Sequence, residues 1–425
     1  MRILLTITLT LLVLSADLFA QNDFLTLDKK TYDFYFKGDY KNLKKTADAM
    51  LLKGIDYYYL RMRLGMLAYN KQLYSSAFKQ FSRALKFNPM DTISREYIYY
   101  SYLFSGRKPD ADFYLMSIPD DKKNNALKSL GNPVLSPAVY LGSSASGYDV
   151  PLHLNNNLYY EAVKSSLSMN AGFETCFLSR FKGTFAFTHF MKTGTVYSAD
   201  DVSGKDLNFN QNQVYAKLTG YVFPGWEFSG FGHIAFYTDA VTQGPPGNRR
   251  TINVAKTEYV YGAGISKNGW KIRTGANFSL SNFSNSNQIR GEAYLTYLPF
   301  GNLNLYLTSG WMGQTDTNWG GTYQVNEEIG LKVFKFLWLE SGIIKGTSFL
   351  YARNQGSFMN NSFQIPATTI YGNFVILPGN HFVITITPLY IQNFLYSQDL
   401  TAYTMTDKQT SFSSGGTIKI TYKIK

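Results

Sequence analysis

The sequence lacks most of the residues from which soluble enzymes build their sites. It contains one cysteine, Cys176, and four histidines in 425 residues, and only 16% of its residues are charged. A single cysteine excludes an intramolecular disulfide and any metal site made of several cysteines. Beyond the first twenty residues no run of eighteen apolar residues occurs, so membrane-spanning helices are not expected. We therefore predict neither a metal nor another cofactor.

Aromatic residues and glycine are abundant instead. The chain has 33 Tyr, 32 Phe, 5 Trp and 35 Gly, a mixture that favours strands bordered by aromatic girdles. The formal net charge is +12, but the lysines and arginines are spread along the chain. Without a basic block, nucleic-acid binding is not expected.

The N-terminus predicts export. Met1 and Arg2 precede an apolar stretch, residues 3–14, and small residues such as Ala20 follow it. This order of charged, apolar and small residues is typical of a secretory signal peptide. We assign residues 1–20 to the signal peptide.

Residues 21–130 predict helical repeats. Gly38, Gln72 and Gly106 lie 34 residues apart, each in a turn-like stretch. In the middle copy, the positions at which paired helices would touch are Leu64, Gly65, Ala77, Phe81, Ala84 and Pro89. The period and these positions resemble the tetratricopeptide (TPR) repeat. The resemblance implies stacked helix pairs that present a concave surface to a partner.

The charge of the repeat segment suggests a class of partner. It carries 19 Lys and Arg against 12 Asp and Glu, a net +7. We expect it to bind an acidic or extended segment of a periplasmic or envelope protein, with an association that weakens as salt increases. Arg61 and Arg63 are the positions chosen for charge reversal. In the alternative, the basic residues only solvate the outer helix faces.

Residues 131–425 predict a transmembrane β-barrel. After Pro133 and Pro137 the sequence period becomes two, in about fourteen segments, the last of which is residues 410–425. Short turn-like joints alternate with longer polar ones. That alternation is typical of an outer-membrane barrel with short turns in the periplasm and longer loops outside.

The same period predicts which charges lie inside the barrel. A Lys or Arg that faces lipid near the midplane costs roughly 2–4 kcal/mol, so charged residues are assigned to the lumen. The candidates are Lys217, Glu258, Lys271, Arg273, Arg290, Glu292, Lys332, Glu340, Lys419 and Lys423. They either select solutes at a constriction or fill the interior with ion pairs, and both interpretations stay open.

Catalytic motifs give little support to an enzyme. There is no Gly-x-Ser-x-Gly, no His-Glu-x-x-His and no phosphate-binding loop. Serines are so abundant that a chance pair with His153, His189, His233 or His381 is easy. We do not expect an enzyme.

The predicted fold class is a multidomain α+β protein, with N-terminal TPR-like helical repeats followed by an antiparallel transmembrane β-barrel of about fourteen strands. This arrangement resembles the TPR-plus-barrel outer-membrane proteins of Gram-negative bacteria, including the YaiO family. The resemblance implies an outer-membrane barrel in contact with lipid. Its periplasmic repeats would recruit a protein in transport, secretion or envelope assembly. The alternatives are a passive solute pore with a helical spacer or plug, and a lipid-modifying enzyme.

Overall fold

A computed structural model of the chain describes residues 24–130, 138–148, 160–177, 180–198, 201–243, 250–284, 286–318, 320–353, 355–360, 365–379, 381–399 and 404–424. The predicted signal peptide, residues 1–20, and the predicted linker prolines lie outside these ranges. The chain divides into two compact units, one ending at Asn132 and one beginning at Pro133.

The first unit is helical. Its described helices are residues 24–36 (α1), Tyr40–Leu52 (α2), Tyr58–Asn70 (α3), Tyr74–Phe87 (α4), Thr92–Phe104 (α5), Lys108–Ser117 (α6) and Asn125–Ser129 (α7), with a 3₁₀ turn at Asp120–Lys122. The starts of α2, α4 and α6 are 34 residues apart, as are those of α3 and α5. Among the described residues no helix is both long and apolar enough to cross a membrane.

The turns inside the helix pairs explain the regular spacing. Gly38, Gln72 and Gly106 have φ angles of 71°, 58° and 76°, the left-handed region that glycine enters without steric cost. Helices α2, α4 and α6 each begin two residues after this turn residue. Asp39 and Asp91 accept hydrogen bonds from backbone N–H groups in the first turns of α2 and α5, which is the usual N-cap.

Five of the predicted packing residues are buried between helices: Leu64, Gly65, Ala77, Phe81 and Ala84. A Cβ at Gly65 would lie 2.7 Å from Cε1 of Phe81, so only glycine allows α3 to approach this ring. Pro89 is exposed in the turn after α4. It therefore lies beyond the packed interface.

Arg61 and Arg63 stabilise the helical unit internally. Arg61 is 3% exposed, and its guanidinium donates two hydrogen bonds of 2.6 Å to Asp56. Arg63 donates to Asp28 and to the Thr31 hydroxyl. Charge reversal at either arginine would place like charges together in a partly buried site. The choice of these residues as tests of partner binding is therefore wrong.

The second unit is a closed antiparallel barrel of fourteen strands. The strands are β1 Ala138–Tyr148, β2 Tyr160–Phe177, β3 Phe181–Ser198, β4 Asp201–Phe223, β5 Trp226–Gln243, β6 Arg250–Asn268, β7 Ile272–Phe283, β8 Ser286–Tyr297, β9 Leu305–Asp316, β10 Gly320–Phe334, β11 Leu337–Lys345, β14 Ile365–Ile376, β15 Phe382–Asp399 and β16 Thr404–Lys423. A separate hairpin, β12 Tyr351–Arg353 and β13 Phe358–Asn360, lies between β11 and β14 in the chain. The predicted fold class is confirmed.

The terminal strand closes the barrel against β1. Ile420 is opposite Leu141, and both are exposed on the outer face. Lys419 lies on the inner face, with its Nζ 4.0 Å from the ring centre of Tyr140. A closed ladder leaves no unpaired edge in hydrocarbon, and an apolar outer surface suits lipid. This is the architecture of an outer-membrane barrel.

The two ends of the barrel are joined differently. At one end the strands turn tightly, as at Phe223–Trp226 and Phe334–Leu337. At the other end, residues predicted as long loops are largely strand. β4 already begins at Asp201, and only residues 284 and 285 separate β7 from β8. The polar sequence of residues 198–208 and 282–287 predicts two long loops, and this prediction is wrong, because continued pairing satisfies backbone N–H and C=O groups that a loop would leave to water.

Candidate functional site: the barrel lumen

One connection of the barrel folds inward. The alternating pattern predicts a single strand over residues 337–352, which is wrong: β11 ends at Lys345 and the chain turns into the lumen at Gly346. Gly346 has φ +110°, and a Cβ there would lie 2.3 Å from the Tyr323 carbonyl oxygen. Only glycine fits such a turn. We call residues 346–353 and 355–360 the lumen segment.

The lumen segment reaches the wall opposite its origin. In the closed strand order β4 is seven strands away from β11. The Tyr215 hydroxyl on β4 donates to the Gln355 carbonyl oxygen at 3.1 Å. His233 on β5 is hydrogen-bonded through Nδ1 to the Gly356 carbonyl oxygen at 2.5 Å, which places the ring proton on Nδ1. The segment therefore spans the lumen.

Side chains nearer to β11 hold the start of the segment. On β9, Gln314 donates from Nε2 to the Phe349 carbonyl oxygen at 2.7 Å. On β10, Gln324 donates from Nε2 to the Gly346 carbonyl oxygen at 3.1 Å. Neutral hydrogen bonds of this kind contribute about 0.5–1.5 kcal/mol each. Both ends of the segment are therefore tied to the barrel wall.

Apolar packing fixes the segment between these bonds. Phe349, Leu350, Ala352 and Met359 are buried in one cluster with wall residues. Those wall residues are Tyr215, Phe231, Ala235, Val260, Phe283 and Ile365. Burial of each large apolar side chain contributes roughly 1.5–3 kcal/mol. The segment thus has a packed core within the barrel.

Three of the predicted lumen charges lie at the level of this segment. Arg290 is 4% exposed; it donates from Nε to Glu292 at 2.8 Å and from Nη1 to the Ser348 hydroxyl at 3.2 Å. Glu258 is also buried. It accepts hydrogen bonds from the Tyr237 hydroxyl and from the backbone N–H of Ser284, both at 2.9 Å. These groups are all paired, and Arg290 helps to hold the segment in place through Ser348.

Three more of the lumen candidates form two oppositely charged walls toward the short-turn end. Glu340 on β11 accepts hydrogen bonds from Tyr306 and from Nδ2 of Asn373, the second at 2.7 Å. Lys217 on β4, seven strands away, and Lys419 on β16 lie on the inner face. Both lysines interact electrostatically with the ion pair of Lys182 and Glu174, whose charged atoms are 2.6 Å apart.

The last four candidates are less central. Arg273 is half-buried on the inner face of β7, while Lys271 is exposed in the turn before it. Lys332 lies with Nζ 4.6 Å from the ring centre of Trp338. Lys423 is exposed at the end of β16. The structure does not bring these four together with the charges beside the lumen segment.

Two features of the wall are not predicted from the sequence. Glu328 on β10 accepts a 2.7 Å hydrogen bond from the Tyr371 hydroxyl. It lies four residues from Lys332, a predicted lumen residue, so the alternation of the strand places both on the inner face. Its neighbour Glu327 points the other way, to the outer face, where the Ser309 hydroxyl donates to it at 2.5 Å. The expectation that every strand charge faces the lumen is therefore wrong at Glu327.

The described histidines have structural partners. His189 has its Nδ1 2.9 Å from the Asn212 side-chain oxygen, and His381 has its Nδ1 3.1 Å from the Lys423 carbonyl oxygen. His153 lies outside the described residues. Where the structure describes the chain, it holds no group of three or more His, Cys, Asp or Glu that could bind a metal ion.

Comparisons with known proteins find likeness only among solved structures. No family model and no curated sequence matches the chain. A Pseudomonas aeruginosa FadL homologue is 9% identical with a TM-score of 0.44, over 68% of this chain and 91% of the other. The Pseudomonas putida toluene transporter TodX is 7% identical with a TM-score of 0.43, over 72% and 92%. The translocator domain of the autotransporter NalP from Neisseria meningitidis is 9% identical with a TM-score of 0.31, over 70% and 91%.

Proposed function

We propose that this protein is an outer-membrane transport barrel in which the lumen segment restricts passage. One observation carries the proposal: the segment is hydrogen-bonded to β9 and β10 near its origin and to β4 and β5 on the opposite wall. Such a crossing narrows the lumen. The oppositely charged walls below it would then act on polar solutes before they reach the narrow part.

Single-channel conductance of the full-length protein tests this role. Replacement of residues 349–359 by a short Gly-Ser linker removes the crossing and should raise the conductance several-fold. Shortening of the β5–β6 connection, residues 244–249, is the matched control and should leave it unchanged. Equal conductance of the wild type and the linker variant would contradict a restricting role for the segment.

We propose as a second function that the helical unit binds an envelope protein in the periplasm through apolar contacts. Leu25, Tyr59 and Ile93 are spaced 34 residues apart on α1, α3 and α5, and all three are exposed, by 57%, 63% and 48%. Phe36 on α1 is 81% exposed. Exposed apolar side chains at equivalent repeat positions favour a partner that lies across several repeats.

The proposed contacts are apolar. Arg61 and Arg63 pair with aspartates inside the unit and are not available to a partner. An association through the apolar residues should depend little on salt, whereas one through the net charge of +7 should weaken as salt increases. A photo-crosslinking residue at Tyr59 in living cells should capture one specific protein, whereas the same residue at the exposed Lys79 should not. Equal capture at the two positions would contradict a defined surface.

A further inference from the structure

The outer face of β10 carries a carboxylate in the lipid-facing part of the barrel wall. The inner face of this strand is fixed by Gln324, which bonds to the lumen segment, and by Glu328, which bonds to Tyr371. The alternate residues therefore point outward: Tyr323, Val325, Glu327, Ile329, Leu331 and Val333. Glu327 lies four residues from Tyr323 and seven from Phe334, which follows a bulge after Lys332; both aromatic residues are exposed. Aromatic residues border the hydrocarbon at its two edges, so Glu327 is within it.

A carboxylate in this position calls for a counterpart. Ionisable groups that face hydrocarbon are costly and usually mark a functional site. The Ser309 hydroxyl donates one hydrogen bond to Glu327. Lys345 is on the same outer face, opposite Val325, but among the described residues no lysine or arginine nitrogen lies within 4.0 Å of the Glu327 oxygens. The counterpart is thus expected from outside the chain.

An apolar groove adjoins Glu327 on the same wall. Three residues with little or no side chain toward lipid lie side by side on β11, β14 and β15: Ser341, Gly372 and Pro388. They form a groove of about 620 Å³. Its rims include Ile329, Leu339, Ile370, Phe374 and Tyr390. This volume is in the range of small-molecule sites, about 300–1,000 Å³.

Glu327 lies just beyond the lining of the groove, next to its lining residue Ile329 on the outer face of β10. Ser341 is opposite Ile329, which is two residues from Glu327 on the same face. A molecule with its chain in the groove would therefore hold its head at the carboxylate. Pro388 has no N–H to donate, and backbone pairing of β14 with β15 lapses between Tyr371 and Phe374. The floor of the groove is set by that break.

We propose that this groove binds a membrane-dissolved amphiphile that carries a protonated amine on an unbranched alkyl chain. The ammonium donates hydrogen bonds to Glu327, and the alkyl chain lies along Ser341, Gly372 and Pro388. A charge-assisted pair in a medium of low dielectric is strong. A fatty acid would instead bring two carboxylates together, and an alcohol would leave the charge of Glu327 uncompensated.

Bromine-labelled dodecylamine tests the site on the full-length protein in lipid nanodiscs. Trp311 is on the outer face of β9, two residues from Ser309, so quenching of its fluorescence reports occupancy. The contribution of Trp311 is the difference in fluorescence quenching between the wild type and Trp311→Phe. We expect the amine to quench at concentrations at least ten-fold lower than brominated dodecanol or dodecanoic acid.

Two variants separate the carboxylate from the groove. Glu327→Gln should weaken binding of the amine at least ten-fold and leave that of the alcohol unchanged. Gly372→Leu should block both, because a Cβ at Gly372 meets only the Glu340 carbonyl oxygen at 3.6 Å and the new side chain can enter the groove. Gly291→Leu, on the outer face of β8 where a Cβ meets nothing within 4 Å, is the matched control and should change neither.

Three results would overturn the proposal. The first is equal quenching by the amine and the alcohol in the wild type. The second is amine binding that is absent from the wild type and appears in Lys345→Met. It would show that Lys345 is the positive partner of Glu327 in the wild type. The third is a protein dimer that Glu327→Gln or Gly372→Leu dissociates, which would assign this face to a second copy of the chain. None of these results depends on whether the lumen conducts.

Discussion

Two carboxylates on adjacent strands of the barrel face different environments. Glu327 faces lipid, whereas Glu340 on the adjacent strand faces inward and accepts hydrogen bonds from Tyr306 and Asn373. Glu327→Leu should raise the free energy of unfolding from lipid vesicles by about 1 kcal/mol, since a lipid-facing charge is removed. Glu340→Leu should lower it by about 1–3 kcal/mol, since two donors lose their acceptor. Urea titration in vesicles measures both, and changes of the same sign would contradict the assignment of faces.

In the helical unit one carboxylate links α1 to α3. Burial acts to raise the pKa of Asp28, but hydrogen bonds from Tyr57 and Arg63 outweigh it, and the net pKa lies below the ordinary value of 3.8. A lowered folded-state pKa stabilises the fold above the unfolded-state value, and this contribution is lost as pH falls through the folded-state value. Hydrogen-exchange protection of α1 should therefore decrease below about pH 4.

The amide variant supplies the control for this pH dependence. Asp28→Asn keeps the shape but cannot ionise, so α1 should be less protected at neutral pH and no longer respond to acid through this site. Because Asp28 is partly exposed, the expected loss is about 1 kcal/mol. An unchanged acid response in Asp28→Asn would assign the effect to other carboxylates.

Among the elements, the terminal strand is the one that the sequence predicts most completely. Its alternation of Ile and Lys is continuous, and the structure places Ile420 outside and Lys419 inside. Ile420→Asp should reduce the amount of barrel in the outer membrane severely, while Lys419→Asp should reduce it little. Membrane fractionation with heat-modifiability on gels measures this. Equal accumulation of the two variants would show that the faces are reversed.

The lumen segment is the element that the sequence did not predict. Residues 337–352 alternate like a strand, so periodicity alone continues β11 to Ala352. The strand ends because the backbone of Gly346 turns inward. Side chains of β4, β5, β9 and β10 then bond to the backbone carbonyl oxygens of the lumen segment. The 34-residue helical repeat was predictable because its contacts are local. The inward turn was not, because its bonding partners are brought together only by barrel closure.

That dependence on one glycine leads to a test of the inward turn. Gly346→Ala would place a Cβ 2.3 Å from the Tyr323 carbonyl oxygen at a φ of +110°, so the chain must leave its present path. The single-channel conductance should rise and fluctuate more than that of the wild type. Gly379→Ala, in a short turn where a Cβ meets nothing within 4 Å, should behave as the wild type. A conductance unaffected by Gly346→Ala would show that the turn tolerates a side chain.

At the scale of the whole molecule, strand length indicates which end of the barrel faces outward. A spanning strand needs about 9–11 residues, but β4 has 23 and β5 has 18. Both begin or end at the tight turn of Phe223–Trp226, so the excess projects from the opposite end. In barrels of this class the short turns lie in the periplasm and the longer projections lie outside. We therefore expect both ends of the barrel chain, β1 and β16, to start and finish on the periplasmic side.

Epitope tags at the two ends of the barrel decide this orientation. A tag inserted at Gly247, between β5 and β6, should bind antibody on intact cells. A tag at Gly379, in the short turn between β14 and β15, should bind only after the outer membrane is permeabilised. Equal signals from both tags in permeabilised cells are the control for expression. Labelling at Gly379 in intact cells would show that the barrel has the opposite orientation.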